Sequence, residues 1–268
     1  MTGRRSVRSR RSTTLAALLW SALVLSGCSG PGEEPVGGGG SPSAASIAKR
    51  CGTAMPQGAQ PRAVVLDDGA GTRVSAAVLG SPGAATALVL LHQTGPSGLC
   101  GWGRFATRAA AAGLPSVALD MCGYGESVCA AGVEHDPAAL VDLAGEWARE
   151  HLDAGRIVLV GASMGGSSTV LAVTDGADVD AWVDVSGVST WDGVRLQSRA
   201  AALRSAPPGL IVFARSDGPL EWRAARRLSR SAGVRFVDGG SGHGYELMTD
   251  YRGRLLPAGR EVLRFATT

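Results

Sequence analysis

The sequence predicts an α/β fold: a mostly parallel eight-stranded sheet with helices on both faces. Three observations predict it. From Arg62 onward, short runs rich in valine and leucine alternate with alanine- and arginine-rich stretches of helical length. The later runs lack in/out alternation, as parallel strands covered on both faces do. Finally, 39 glycines, 18% charged and 45% hydrophobic residues describe a turn-rich globular chain. With 268 residues there is room for one sizeable domain once the termini are set aside.

The strands are expected over Ala63–Leu66, Arg73–Leu79, Ala87–Leu91, Ser116–Leu119, Ile157–Val160, Ala181–Val185, Leu210–Ala214 and Val234–Val237. Helices are expected over Trp102–Ala112, Pro137–His151, Met164–Asp175 and Pro219–Ala232, with a last one ending near Phe265. In an open α/β sheet, ligands sit outside the carboxyl ends of the strands, so functional residues should follow strands directly.

Before the domain stand five arginines, Arg4, Arg5, Arg8, Arg10 and Arg11, and then an apolar run from Leu15 to Leu25. That run is too short to span a bilayer, which needs about 20 residues, and reads as the core of an export signal over residues 1–27. Residues 28–60, in which Cys28 is followed by Ser-Gly-Pro-Gly-Glu-Glu-Pro-Val and four consecutive glycines, read as a flexible tether to a domain at 61–268. Removing residues 1–27 leaves 21 basic against 23 acidic residues, a net charge near −2, with no basic signature of a nucleic-acid partner. Leu25-Ser26-Gly27-Cys28 resembles the lipobox of bacterial lipoproteins. The resemblance implies acylation of Cys28 and anchorage of the domain to a membrane in the cell envelope, outside the cytoplasm. Ser9-Arg10-Arg11 hints at twin-arginine export, while Thr13 and Thr14 stand where that signal prefers apolar residues.

Four further cysteines, Cys51, Cys100, Cys122 and Cys129, suggest two disulfides in an exported protein, with three possible pairings. Because loops after adjacent strands share an edge of the sheet, Cys100 is expected to pair with Cys122 or Cys129.

The sharpest motif is Gly161-Ala162-Ser163-Met164-Gly165, where an apolar strand runs into a turn and then a helix. It resembles the nucleophile elbow of the α/β-hydrolase family, in which flanking glycines let a serine project from a strained turn. A serine hydroxyl is a weak nucleophile near neutral pH and needs a base, and the base needs a carboxylate to hold one tautomer. The family order of serine, acid, histidine is met by Ser163, Asp217 after the strand ending at Ala214, and His243 in Gly242-His243-Gly244. The stretch from Leu88 to Phe265 is similar to hydrolases of the dienelactone hydrolase type and related small esterases. Asp192 is the rival acid, since some members carry it after the preceding strand. Asp120, His92, His135 and His151 have structural readings.

The same resemblance implies an oxyanion hole from the N–H of Met164 and an N–H of the loop Leu91-His92-Gln93-Thr94-Gly95. Thr94 is the family's donor position. Gln93 stands where the family has glycine, and could instead supply its own N–H or line the site. About twenty residues between Gly187 and Pro208 leave no room for a large cap, so an open site is expected, with Trp191, Trp102 and Tyr124 as candidate walls. No metal-ligand spacing, G-x-G-x-x-G or Walker loop is present, so neither metal nor cofactor is expected. The expected reaction is cleavage of a small ester or related acyl bond. A peptidase, an acyltransferase, or a non-catalytic lipid-anchored binding protein of the envelope are the alternatives.

Overall fold

In a computed structural model of the chain, residues 44–268 are described. The expected export signal, Cys28 and residues 29–43 of the expected tether lie outside the described residues. The domain starts earlier than residue 61. Ala44–Cys51 form helix α1, whose Ile47 is buried against the domain, and a single 3-10 turn follows over Gly52–Ala54. The boundary shifts because an apolar side chain inside an otherwise polar stretch finds a hydrophobic surface to cover.

Then come β1 (Arg62–Asp67), β2 (Arg73–Leu79), β3 (Thr86–Leu91), α2 (Gly103–Ala111), β4 (Ser116–Leu119), the short α3 (Ala131–Glu134) and α4 (Pro137–Leu152). The second half holds β5 (Arg156–Ala162), α5 (Met164–Thr174), β6 (Ala181–Val185) and a small hairpin of β7 (Thr190–Trp191) and β8 (Val194–Arg195). It closes with α6 (Ala200–Leu203), β9 (Gly209–Phe213), α7 (Pro219–Ala232), β10 (Arg235–Asp238) and α8 (Pro257–Ala266).

Eight strands form one sheet in the order β1-β2-β4-β3-β5-β6-β9-β10. Only β2 runs against its neighbours β1 and β4; every other pairing is parallel. Alternate residues of one strand enter opposite cores. Ala87, Val89 and Leu91 join α4, α5 and α7 on one face, while Leu88 and Leu90 join α1, α2 and α8 on the other. This two-sided burial is why the β3 and β5 sequences are apolar at nearly every position.

The disulfides differ from the expected pairing. Cys51 bonds to Cys100, and Cys122 to Cys129. Cys51 ends a packed helix instead of lying in a tether, and Arg50 beside it pairs with the buried Asp120 at 2.6 Å. Asp120, just after β4, also accepts the N–H of Leu99 beside Cys100, so the contact carries Cys51 to the segment after β3. Cys122 and Cys129 close one turn after β4 on themselves.

Candidate active site

Register brings the carboxyl ends of the parallel strands to one level. Leu91 pairs with Gly161, Gly161 with Asp184, and Asp184 with Ile211. The residues singled out from sequence follow those ends directly.

Ser163 caps α5 with φ +52° and is buried to 6% exposure. A non-glycine residue in that region is strained, and the surroundings hold it there. The N–H of Ser163 donates to Val185 O at 2.8 Å, and the N–H of Gly165 donates to His92 O at 3.1 Å. The motif's glycines have steric reasons. A Cβ at Gly161 would overlap Gly165 O and Thr169, and one at Gly165 would overlap Leu91 O and His92 O. Met164 opens α5, so its N–H has no acceptor within the helix.

Asp217 lies in a 3-10 turn (Arg215–Asp217) after β9, and His243 in the loop after β10. Their side chains meet: His243 Nδ1 stands 2.7 Å from Asp217 Oδ2, with the carboxylate the more buried partner. Two residues that sequence reasoning missed hold this loop. Ser186, itself at φ +59°, accepts the N–H of Gly244 at 3.1 Å, and Glu246 accepts the N–H of His243 at 3.2 Å. Gly244, at φ +55°, sits so close that a Cβ there would overlap Gln93 and touch Ala162, the residue before Ser163. The histidine loop therefore packs on the nucleophile elbow. Ser186 is detectable in sequence only as a residue at a strand end, with nothing to mark its partner.

The rival acid lies elsewhere. Asp192, at the tip of the β7–β8 hairpin, faces the exposed His135 at 3.9 Å. His151 stacks on Trp147 with ring centroids 4.5 Å apart. His92 is fully buried, with Nδ1 donating to Gln93 O at 2.7 Å and Nε2 accepting from Met121 N–H at 3.0 Å. That pair of bonds suits one neutral tautomer, and burial pushes its pKa down in the same sense. Asp120 accepts the N–H of Leu99 at 2.9 Å besides its bond to Arg50, so its role is structural. Beside His92, Gln93 is half-buried and Thr94 exposed; Gln93 Oε1 is buried without a hydrogen-bond partner among the described residues.

Met164 also borders a cavity of about 430 Å³, walled by Tyr124, Leu140, Leu171, Trp191 and Val194 together with the charged Glu134, Asp136, Asp175, Asp192 and Arg199. Tyr124 Oη approaches Met164 Sδ at 3.7 Å, and its ring meets His92 edge-on at 4.5 Å. Trp191 and Tyr124, two of the three candidate walls, border this cavity. Trp102 does not: it is fully buried against Phe105 and Tyr245. Among the described residues no group of three or more His, Cys, Asp or Glu side chains could hold a metal.

No protein-family model and no curated protein matches the chain by sequence. Solved structures do match it in three dimensions. The Pyrococcus furiosus esterase Pf2001 superposes with a TM-score of 0.59 at 12% identity, covering 78% of this chain and 91% of that one. The naproxen esterase (carboxylesterase NP) of Bacillus subtilis gives 0.58 at 14% identity, covering 82% and 95%. A thioesterase domain from the curacin biosynthetic pathway gives 0.57 at 14% identity, covering 77% and 99%. At these identities the likeness is one of fold, and the chain has the α/β-hydrolase fold.

Proposed function

We propose that this protein is a serine hydrolase that cleaves a small ester through an acyl-enzyme, and that a lipid on Cys28 holds it at the outer side of a bacterial membrane. The observation that carries the reading is the 2.7 Å contact of His243 Nδ1 with Asp217, in a loop packed on the elbow that bears Ser163. Ser163 Oγ attacks the carbonyl carbon while His243 Nε2 takes the hydroxyl proton. Asp217 stabilises the imidazolium, and the proton passes to the leaving alkoxide as the acyl-enzyme forms. Water then attacks by the reverse sequence, with His243 again as base.

The oxyanion is met by the N–H of Met164 and, in this reading, that of Thr94. Across the trans peptide, His92 C=O aimed at Gly165 turns the Gln93 N–H away from the elbow, which favours Thr94 over Gln93. Donors fixed at that place before the reaction are worth about 3–4 kcal/mol each. The cavity beyond Met164 would take the apolar part of the substrate.

A fluorophosphonate probe tests the reading. It should label the wild-type chain at Ser163 and leave Ser163→Ala unlabelled; labelling of both, or of neither, would remove the proposal. Anchorage has its own test. Protein from a bacterial host should carry the mass of acyl chains on its N-terminal peptide, and Cys28→Ser should lack it.

A further inference from the structure

Charge is divided sharply along the chain. Residues 44–194 hold eight basic against fifteen acidic residues, whereas residues 195–235 hold nine arginines against only Asp217 and Glu221. Four of those arginines lie on α7. Arg223, Arg226, Arg227 and Arg230 follow the i, i+3, i+4, i+7 spacing that puts them on one helical face. The opposite face, through Ala225, Leu228, Ser229 and Ala232, is buried against the sheet.

None of the four has a carboxylate within ion-pair distance among the described residues. Arg226 lies over the rings of Trp222 and Phe236, at 4.7 and 5.9 Å from their centroids. At the N-terminal end of the same stripe stands Leu220, 71% exposed. A helix with a cationic face and an apolar residue at its solvent side is the chemistry of an anionic bilayer surface: phosphates meet the guanidinium groups, and the leucine enters the headgroup boundary.

We infer that the arginine face of α7, ending in Leu220, is a docking surface for an anionic phospholipid bilayer. The choice of bilayer over other polyanions rests on the proposed lipid on Cys28, which would keep a membrane within reach of the domain through the residues preceding Ala44. Leu220 lies three residues after Asp217, so a docked α7 would set the rim of the proposed active site at the headgroup level.

The test uses the chain from residue 28 with Cys28→Ser, so that no acyl chain contributes. It should sediment with vesicles of mixed phosphatidylcholine and phosphatidylglycerol, and not with phosphatidylcholine alone. Binding should vanish toward 1 M salt, where the Debye length is about 3 Å. The exposed triple variant Arg223→Gln, Arg227→Gln, Arg230→Gln should bind roughly 100-fold more weakly, at about fivefold per arginine. It should also keep its circular dichroism spectrum and its thermal midpoint. Equal binding by variant and wild type, equal binding to both vesicle types, or capture by soluble polyphosphate without vesicle sedimentation would each overturn the docking surface. Neither probe labelling at Ser163 nor acyl mass at Cys28 enters this measurement, so those readings fail separately from it.

Discussion

Asp184 is a carboxyl with nowhere to go. It sits fully inside the sheet beneath the elbow, accepting one N–H from Gly187 at 2.7 Å, and burial pushes its pKa up to about 7 despite that bond. The folded state therefore keeps a proton there between pH 4 and 7 that the unfolded chain has lost. Stability contributed by this group is full below the unfolded value and declines as pH rises toward 7. The buried neutral His92 works in the opposite sense, adding stability as pH rises through its ordinary range. Thermal melts of Asp184→Asn beside wild type isolate the first effect: the variant should gain relative stability on going from pH 5 to pH 8. A constant difference in Tm across that range would show that Asp184 keeps an ordinary pKa. At the proposed triad, Asp217→Asn should cost on the order of 10⁴ in kcat, because the imidazole loses the carboxylate that holds its tautomer and balances its charge, and Asp192→Asn almost nothing. The reverse result would move the acid to the hairpin. All three acids stand in plain view in the sequence, but the sequence does not say that Asp184 is enclosed and Asp192 exposed, because burial is set by what crosses over a strand end.

Helix α1 shows how an element can be missed. Its eight residues follow a glycine-rich stretch and offer only one strongly apolar anchor, Ile47, so propensity and pattern are weak there. Tertiary contacts supply the stability: Ile47 in the core, Arg50 on Asp120, and the disulfide from Cys51 to Cys100 across 49 positions. Closing a loop of that length stabilises by about 4 kcal/mol in the chain-entropy picture. Replacing both cysteines by serine should lower the unfolding free energy by about 2–5 kcal/mol in denaturant melts. A loss under about 0.5 kcal/mol would mean that α1 is held by its packing alone. The β7–β8 hairpin was likewise illegible, being two residues to a strand. By contrast, α7 was found to the residue, because Pro219 at its start and Gly233 in the left-handed conformation after its end are both local signals.

At the scale of the whole molecule, only the hairpin, a 3-10 turn over Leu196–Arg199 and α6 stand between β6 and β9, and Trp191, Val194 and Arg199 of that segment border a cavity of about 430 Å³. Each further CH₂ that is buried there adds at most about 0.8 kcal/mol to binding, and chains that outgrow the cavity add nothing. Butyrate esters should therefore be hydrolysed with a higher kcat/KM than palmitate esters of the same alcohol. Trp191→Ala should raise KM for the butyrate ester while leaving kcat within severalfold. A rate that climbs steadily to palmitate would point to a longer apolar channel than this cavity.

What the sequence determined by itself was whatever local chemistry encodes. Eight runs of Val and Leu made eight strands, and strand-turn-helix around Gly161 and Gly165 marked Ser163. Asp217 and His243 were marked by their places after strands, in the chain order of the fold that the motif resembles. What tertiary structure decided was every relation across chain distance: which cysteines bond, which tryptophan borders the cavity, and which carboxylate faces the histidine. It also brought Ser186, 58 residues away, to hold the backbone of Gly244. The reason is physical. A strand or a turn is specified by the steric and solvation preferences of a few neighbouring residues, whereas a contact between distant segments depends on how the whole sheet twists and is covered, and no short stretch of sequence carries that.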